Sequence, residues 1–326
     1  MKSYFRLSVV AITALACLPS MGSEGVVQAV QESAKDNNRI SVCIHLAKSN
    51  EPTTKVNAEA KKKSVEQVLA KLKIGDALML RARGDVARRG LYGYPKDEGM
   101  ALRMYERAQK SPEAGWNAAL MLYQSATDGV NPQLAQRIVG LLNRSGASSF
   151  SSRGAVGAQS HYLAGLLKET GATGKVDEKQ AFLHYRASAR NAYIPGAYHY
   201  MRLLTQSLSK LSEGERAVAL HEVRMMSNRW KWQSPEIMML TGDLHASRWF
   251  PDEENFTAQY HWRLSKRMAA RLGGVTETTD FEGAMRQRIK AMPADKEKRL
   301  EEAVEGGMKN ATTTKHELEY SDLCMD

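Results

Sequence analysis

Two stretches of the chain repeat one another. GLYGYPKDEGMALRMYERAQ (Gly90 to Gln109) and GKVDEKQAFLHYRASA (Gly174 to Ala189) both read Asp, three residues, Ala, three residues, Tyr, then small residues. The matching positions are Asp97, Ala101, Tyr105 and Ala108 in the first, and Asp177, Ala181, Tyr185 and Ser188 in the second. Weaker copies keep the register at Asn131, Ala135 and Val139, at Glu213, Ala217 and His221, and at Glu254, Ala258, Trp262 and Ser265. The five alanines are 34, 46, 36 and 41 residues apart. Periods of that size belong to solenoids built from helix pairs. The spacing has a mechanical reason. Ala at i, an aromatic at i+4 and a small residue near i+7 share one helical face, so a partner helix can approach while the ring fills the gap. Asp97 and Asp177 stand where they would cap or charge a helix N-terminus.

Ahead of the later copies lie apolar-striped segments that also read as helices: AGWNAALMLYQ, VGAQSHYLAGLLK, PGAYHYMRLL and PEIMMLTGDLHA. Each begins near Gly or Pro, and glycine-bearing loops separate first helix from second. One such loop, in Glu169-Thr-Gly-Ala-Thr-Gly-Lys-Val176, resembles a phosphate-binding loop at first sight. That chemistry needs a glycine where Glu169 stands and a hydroxyl residue where Val176 stands, with a strand in front. The segment Val156 to Lys168 reads instead as a helix, so GATGKV is a connection inside a repeat.

Taken together, these residues resemble the Sel-one-like repeat, a relative of the tetratricopeptide repeat with longer loops. The resemblance covers about residues 75 to 273 and is strongest in the first and third units. It implies an all-α chain, a right-handed α-α superhelix of helix pairs with helical caps at both ends. It also implies an adaptor that binds another macromolecule through a groove lined by the first helices, where Asn117, His161 and His199 are candidate contacts. Packing between helices is assigned to Ala101, Tyr105, Ala108, Ala181, Tyr185, Ala258 and Trp262. The expected organisation is 1–22 signal peptide, 23–74 N-terminal helical cap and linker, 75–273 repeats, and 274–326 C-terminal cap and polar tail. Within that last part, helices are expected near Phe281 to Ala291 and near Ala294 to Gly307.

The first residues, MKSYFRLSVVAITALACLPSMGSEG, point to export. Lys2 and Arg6 form a positive n-region, Leu7 to Ala16 an apolar h-region, and Ser20 and Gly22 supply small residues ahead of Ser23. A second reading of the same stretch is lipoprotein processing, with Ala14-Leu-Ala16 before an acylated Cys17. Soluble periplasmic or secreted export is favoured, and attachment to a membrane is expected only through Cys17. No apolar run reaches the roughly 20 residues a spanning helix needs. Cleavage near Gly22 leaves Cys43 and Cys324, a candidate disulfide in an oxidising compartment. The alternative is a buried Cys43 and a free Cys324.

The net charge is +10, and removal of Lys2 and Arg6 lowers it by two. In an exported protein this favours a protein partner or an acidic envelope component, and export argues against nucleic acid. Arg229-Trp-Lys-Trp232 interleaves basic and aromatic residues, but its two tryptophans do not share a helical face, so at least one is expected in the core. No catalytic motif of high specificity occurs. Neither His221-Glu222 nor His316-Glu317 continues to a second zinc-binding histidine, and no GxSxG elbow is present. Ser207-Leu-Ser-Lys210 matches a serine–lysine pattern without its companion motifs and reads as a polar helix end. Neither Cys43 nor Cys324 has a partner at zinc-ligand spacing, so no metal or cofactor is expected. The reading is a scaffold. The rival is an envelope hydrolase acting on cell-wall or glycan material, with catalytic residues drawn from separate helices.

Overall fold

The computed structural model describes residues 66, 76–91, 94–127, 129–149, 154–252, 255–272, 280–312 and 318–322. The signal segment, Cys17, Cys43 and Cys324 lie outside the described residues. Among those described, twelve α-helices are delimited and no strand, and the fold is all-α, built of successive helix pairs. No helix among them is long and apolar enough to cross a membrane. The chain divides into two compact units, one reaching to Arg107 and including Asp322, the other running from Ala108 to Ser321.

The first unit holds helices α1 (Ala77–Arg89) and α2 (Glu98–Arg107). Asp97 caps α2, its Oδ1 accepting from the Met100 N–H at 2.7 Å, and its own N–H donates to the Ala87 carbonyl at 2.8 Å. The cap thereby ties the start of α2 to the last turn of α1. Gly90 closes α1 in the left-handed region, φ 65°. Asp322 also belongs to this unit, held by Arg88 and by Arg89, the latter at 3.5 Å.

The second unit holds α3 (Pro112–Gln124), α4 (Pro132–Leu142), α5 (Ala155–Glu169), α6 (Glu178–Arg190), α7 (Ile194–Ser207), α8 (Glu213–Trp230), α9 (Pro235–Ala246), α10 (Phe256–Leu272), α11 (Phe281–Arg288) and α12 (Ala294–Met308). One π-turn, Asn143–Ala147, prolongs α4 and breaks at Gly146, φ 112°. Proline opens α3, α7 and α9, where its missing N–H is harmless. Ser111 and Ser234 cap α3 and α9 through their hydroxyls. Asp177 caps α6, and Asn131 caps α4. The GATGKV loop joins α5 to α6. Gly171 and Gly174 take φ of 73° and 115°, and the Gly174 N–H donates to the Gly171 carbonyl at 2.9 Å. A side chain at either position would strain the turn.

Helices α3, α5, α7 and α9 touch one another in sequence, and each also packs on the second helix of its pair. Nine residues of α3 are buried, whereas the 18-residue α8, which lies against α7 and α9 along one face, buries only Ala219, Val223, Ser227 and Trp230. The fourth copy of the repeat differs from its sequence reading. Ala217 is exposed, and Ala219 and Val223 take the packing positions. A capping box of Ser212 and Glu215 fixes where α8 begins, and two residues along a helix rotate a side chain by about 200°, onto the opposite face. In the second copy Ile138, not Val139, is the fully buried residue. Trp230 of the Arg229–Trp232 stretch is buried at 8% exposure, as the alternation required. At the C-terminal end, Leu300 and Val304 of α12 pack with Met238, Leu264 and Met268. Arg263 of α10 donates to Glu297 and Glu301 of α12 at 2.5 and 2.9 Å.

Candidate functional site

Three of the first helices, α1, α5 and α9, are held by one recurring device. In the α5/α6 pair the Tyr185 ring lies on Gly165 so closely that a Cβ there would stand 2.6 Å from it. The same contact recurs between Gly242 and Trp262 at 2.6 Å and, in the first unit, between Gly84 and Tyr105 at 2.5 Å. Each ring also carries a polar tip, and a carboxylate of the first helix accepts from it. Tyr185 Oη donates to Glu169 at 2.7 Å, Trp262 Nε1 to Asp243 at 2.9 Å, and Tyr105 Oη to Asp85 at 2.6 Å. A buried hydroxyl or indole N–H without such an acceptor is costly, so ring and carboxylate are needed together. Sequence reading found the rings and missed the glycines. The signal was present: the glycines precede their rings by 21, 20 and 20 residues.

The residues assigned to packing are all interior. Ala101, Tyr105, Ala181, Tyr185 and Ala258 show no exposure, Ala108 shows 1% and Trp262 8%. The three candidate groove residues separate into different environments. His161 of α5 is fully buried, its Nδ1 3.0 Å from Nδ1 of His184 and its Nε2 3.1 Å from the Ser149 carbonyl. Burial pushes both imidazoles down, and His184, with His161 and Lys168 nearby, falls to about 4. His199 of α7 stacks on Tyr185, centroids 4.7 Å apart, and its Nδ1 lies 3.3 Å from Glu169. Burial works to raise the Glu169 carboxyl. Hydrogen bonds from His199, Arg202 and Tyr185 outweigh it and hold the group at about 2. His161 and His199 therefore serve the interior of the third repeat.

Asn117 of α3 differs, because its carboxamide holds a piece of polypeptide. Nδ2 donates to the Ser321 carbonyl at 3.0 Å, and Oδ1 accepts from the Ser321 N–H at 2.8 Å. Beside it, Trp116 Nε1 donates to the Glu319 carbonyl at 2.8 Å, and Gln159 of α5 accepts from the Glu319 N–H at 3.1 Å. Tyr320 Oη donates to Gln124 at 2.7 Å, and Leu318 packs against the apolar cluster shared by α5 to α9. The polar tail thus returns along the first helices, a path its length allowed. A separate cleft of about 600 Å³ opens between the loops that follow α3 and α5, lined in part by Tyr123, Val130, Leu166 and Ala172. Among the described residues, no cluster of three or more His, Cys, Asp or Glu is placed to hold a metal ion.

The paired helices and their glycine-seated rings define a helical-repeat protein. No family model matches the sequence, and no curated protein matches it. The structure neighbours are Sel1 repeat proteins. One is a Sel1 repeat protein from Oxalobacter formigenes, 16% identical, with a TM-score of 0.47 over 71% of this chain and 95% of that one. Another is a protective antigen of uropathogenic Escherichia coli strains displaying an SLR fold. It is 14% identical, with a TM-score of 0.49 over 86% of this chain and 63% of that one.

Proposed function

We propose that this chain is an exported repeat scaffold that binds another polypeptide through the row of first helices α3 and α5. The observation that carries the reading is the hold on residues 319 and 321: side chains of the row engage a backbone, not a particular side chain. A surface that recognises backbone suits an adaptor, since affinity comes from the peptide groups and selectivity from what flanks them. The charge of +10 favours an acidic partner within the envelope or outside the cell. Export rests on Lys2, Arg6 and the apolar run Leu7 to Ala16. Mass spectrometry of the mature protein should find a start near Ser23 or an acylated Cys17, and an intact Met1 on the cytosolic protein would refute it.

The binding reading is tested by a photo-crosslinking amino acid placed at Ala155, an exposed position one turn before Gln159, and separately at Gln136, exposed on α4. Irradiation of intact cells should give one discrete adduct from position 155 and none from 136. Equal adducts from both positions, or none from either, would end the proposal.

A further inference from the structure

The contacts at residues 319 and 321 have a regularity that ordinary tail packing does not require. Both residues have N–H and carbonyl engaged, each by side chains of the row. The residue between them turns its side chain to Gln124. Engagement of every second residue is the geometry of a strand, whose alternate residues face one way. The segment lies in no helix or turn. The Asn117 carboxamide behaves as one peptide group of a neighbouring strand would, donating and accepting on a single residue. Asn117 and Trp116 show no exposure. The bonds these buried groups make to residues 319 and 321 are all to peptide N–H and carbonyl groups, and buried polar groups are hydrogen-bonded as a rule.

None of these four bonds depends on which side chain the bound residue carries. From this we infer that Trp116, Asn117 and Gln159 form a receptor for an extended polypeptide segment read through its backbone. Residues 318–321 are its resident occupant, exchanged for a matching segment of the partner. The inference rests on the adaptor reading above and specifies what the adaptor takes. The acceptable segment has no proline at the two engaged positions, since each must supply an N–H. It carries an apolar residue where Leu318 packs and a hydrogen-bonding residue that reaches Gln124, as Tyr320 does. The tail then acts as a built-in competitor, and the apparent affinity of the partner is reduced by the fraction of molecules with the row occupied.

The test uses the full chain and a fluorescent synthetic peptide of residues 316–323, HELEYSDL. Glu319→Pro with Ser321→Pro in the chain removes both engaged N–H groups and frees the row. The double-proline chain should bind the peptide saturably and at least tenfold more tightly than the unaltered chain. The same peptide with both prolines should not bind, and Asn117→Leu added to the double-proline chain should weaken binding tenfold or more. Equal binding by the double-proline and unaltered chains overturns the exchange. So does a double-proline chain that has lost its helical circular dichroism, since the segment is then part of the fold. A second measurement needs no variant: in the unaltered chain the Glu319 and Ser321 amides should exchange at least a hundredfold faster than those of α3 and α5. Equal rates overturn the inference. If the Ala155 crosslinker captures its partner equally with and without the two prolines, exchange fails while the adaptor reading stands.

Discussion

The third and fourth helix pairs solve one packing problem in opposite directions. In α5/α6 the second helix supplies the ring, Tyr185, and the first supplies the glycine that seats it and the carboxylate, Glu169, that takes its proton tip. In α7/α8 the ring is Tyr200 of the first helix, 1% exposed, and the carboxylate is Glu222 of the second. Val223 stands in α8 where the third pair has its tyrosine, and Arg202 of α7, counted from Pro195, stands where α9 has Gly242. What both pairs keep is a buried ring with its polar tip satisfied. What changes is the seat of the ring: Tyr200 packs against Phe182, centroids 4.9 Å apart, and no glycine of α8 lies under it, so the fourth pair loses the glycine–ring signature of the repeat.

The contrast breaks most visibly at the ring itself. Tyr185→Ala should cost about 3–5 kcal/mol in urea unfolding, because it leaves a void over Gly165. Val223→Ala, which removes far less volume, should cost roughly half as much. Equal losses would mean the ring is not what locks the third pair.

Acid should act on the third pair next. His184 is neutral in the fold and titrates at about 4, while in the unfolded chain it takes up a proton near 6.5. The unfolded state therefore gains protons first as pH falls. Stability from this group is complete above about pH 6.5 and is lost between there and about 4, on the order of 2 kcal/mol. Glu169, lowered from 4.5 to about 2, adds a second loss as pH falls from about 4.5 toward 2. Unfolding midpoints from pH 8 to 4 should slope downward from 6.5, and His184→Phe should reduce that slope while His261, lowered by burial to about 3, maintains part of it. A profile flat down to pH 4.5 in the unaltered protein would refute the histidine assignment.

Adding a methyl sharpens the comparison further. Gly165→Ala should cost about 1–3 kcal/mol, since the ring cannot yield without moving the helix. In a Tyr185→Ala background that cost should disappear, a coupling that a double-mutant cycle reads directly. Smallest of all, Gly140→Ala in α4 should stabilise by about 0.5–1 kcal/mol, because nothing lies within 4 Å of the added carbon. A loss there would mean that α4 packs against something its surroundings do not include.

The sequence carried the helix pairs well because their second helices repeat a physical pattern: a capping side chain, then alanine and a ring on one face. Asp97 and Asp177 cap as their positions implied, and Asn131, in the same register, caps α4. The glycines under the rings were harder to see, since glycine inside a helix reads as a weak point and its partner lies about 20 residues away in a different helix. In α8 the sequence pattern points to Ala217, and the helix that starts at the Ser212 capping box buries Ala219 and Val223 instead. The row that holds residues 319 and 321 left almost no mark. Asn117 was picked out by analogy as a groove residue, while Trp116, Gln124 and Gln159 are unremarkable as letters, because their partners are backbone atoms common to every residue. His161 of α5 and His199 of α7 face the interior, where His184, Tyr185 and Glu169 surround them.

The place of the resident segment along the chain sets a sequence in time. On the exported reading the chain emerges across the membrane from its N-terminus, so α3 and α5, complete by Glu169, emerge ahead of Glu319, about 150 residues later. During that interval Asn117 faces no competitor. On that reading a partner present while the chain is still emerging meets a vacant row, whereas one arriving later competes with a tail that is already seated.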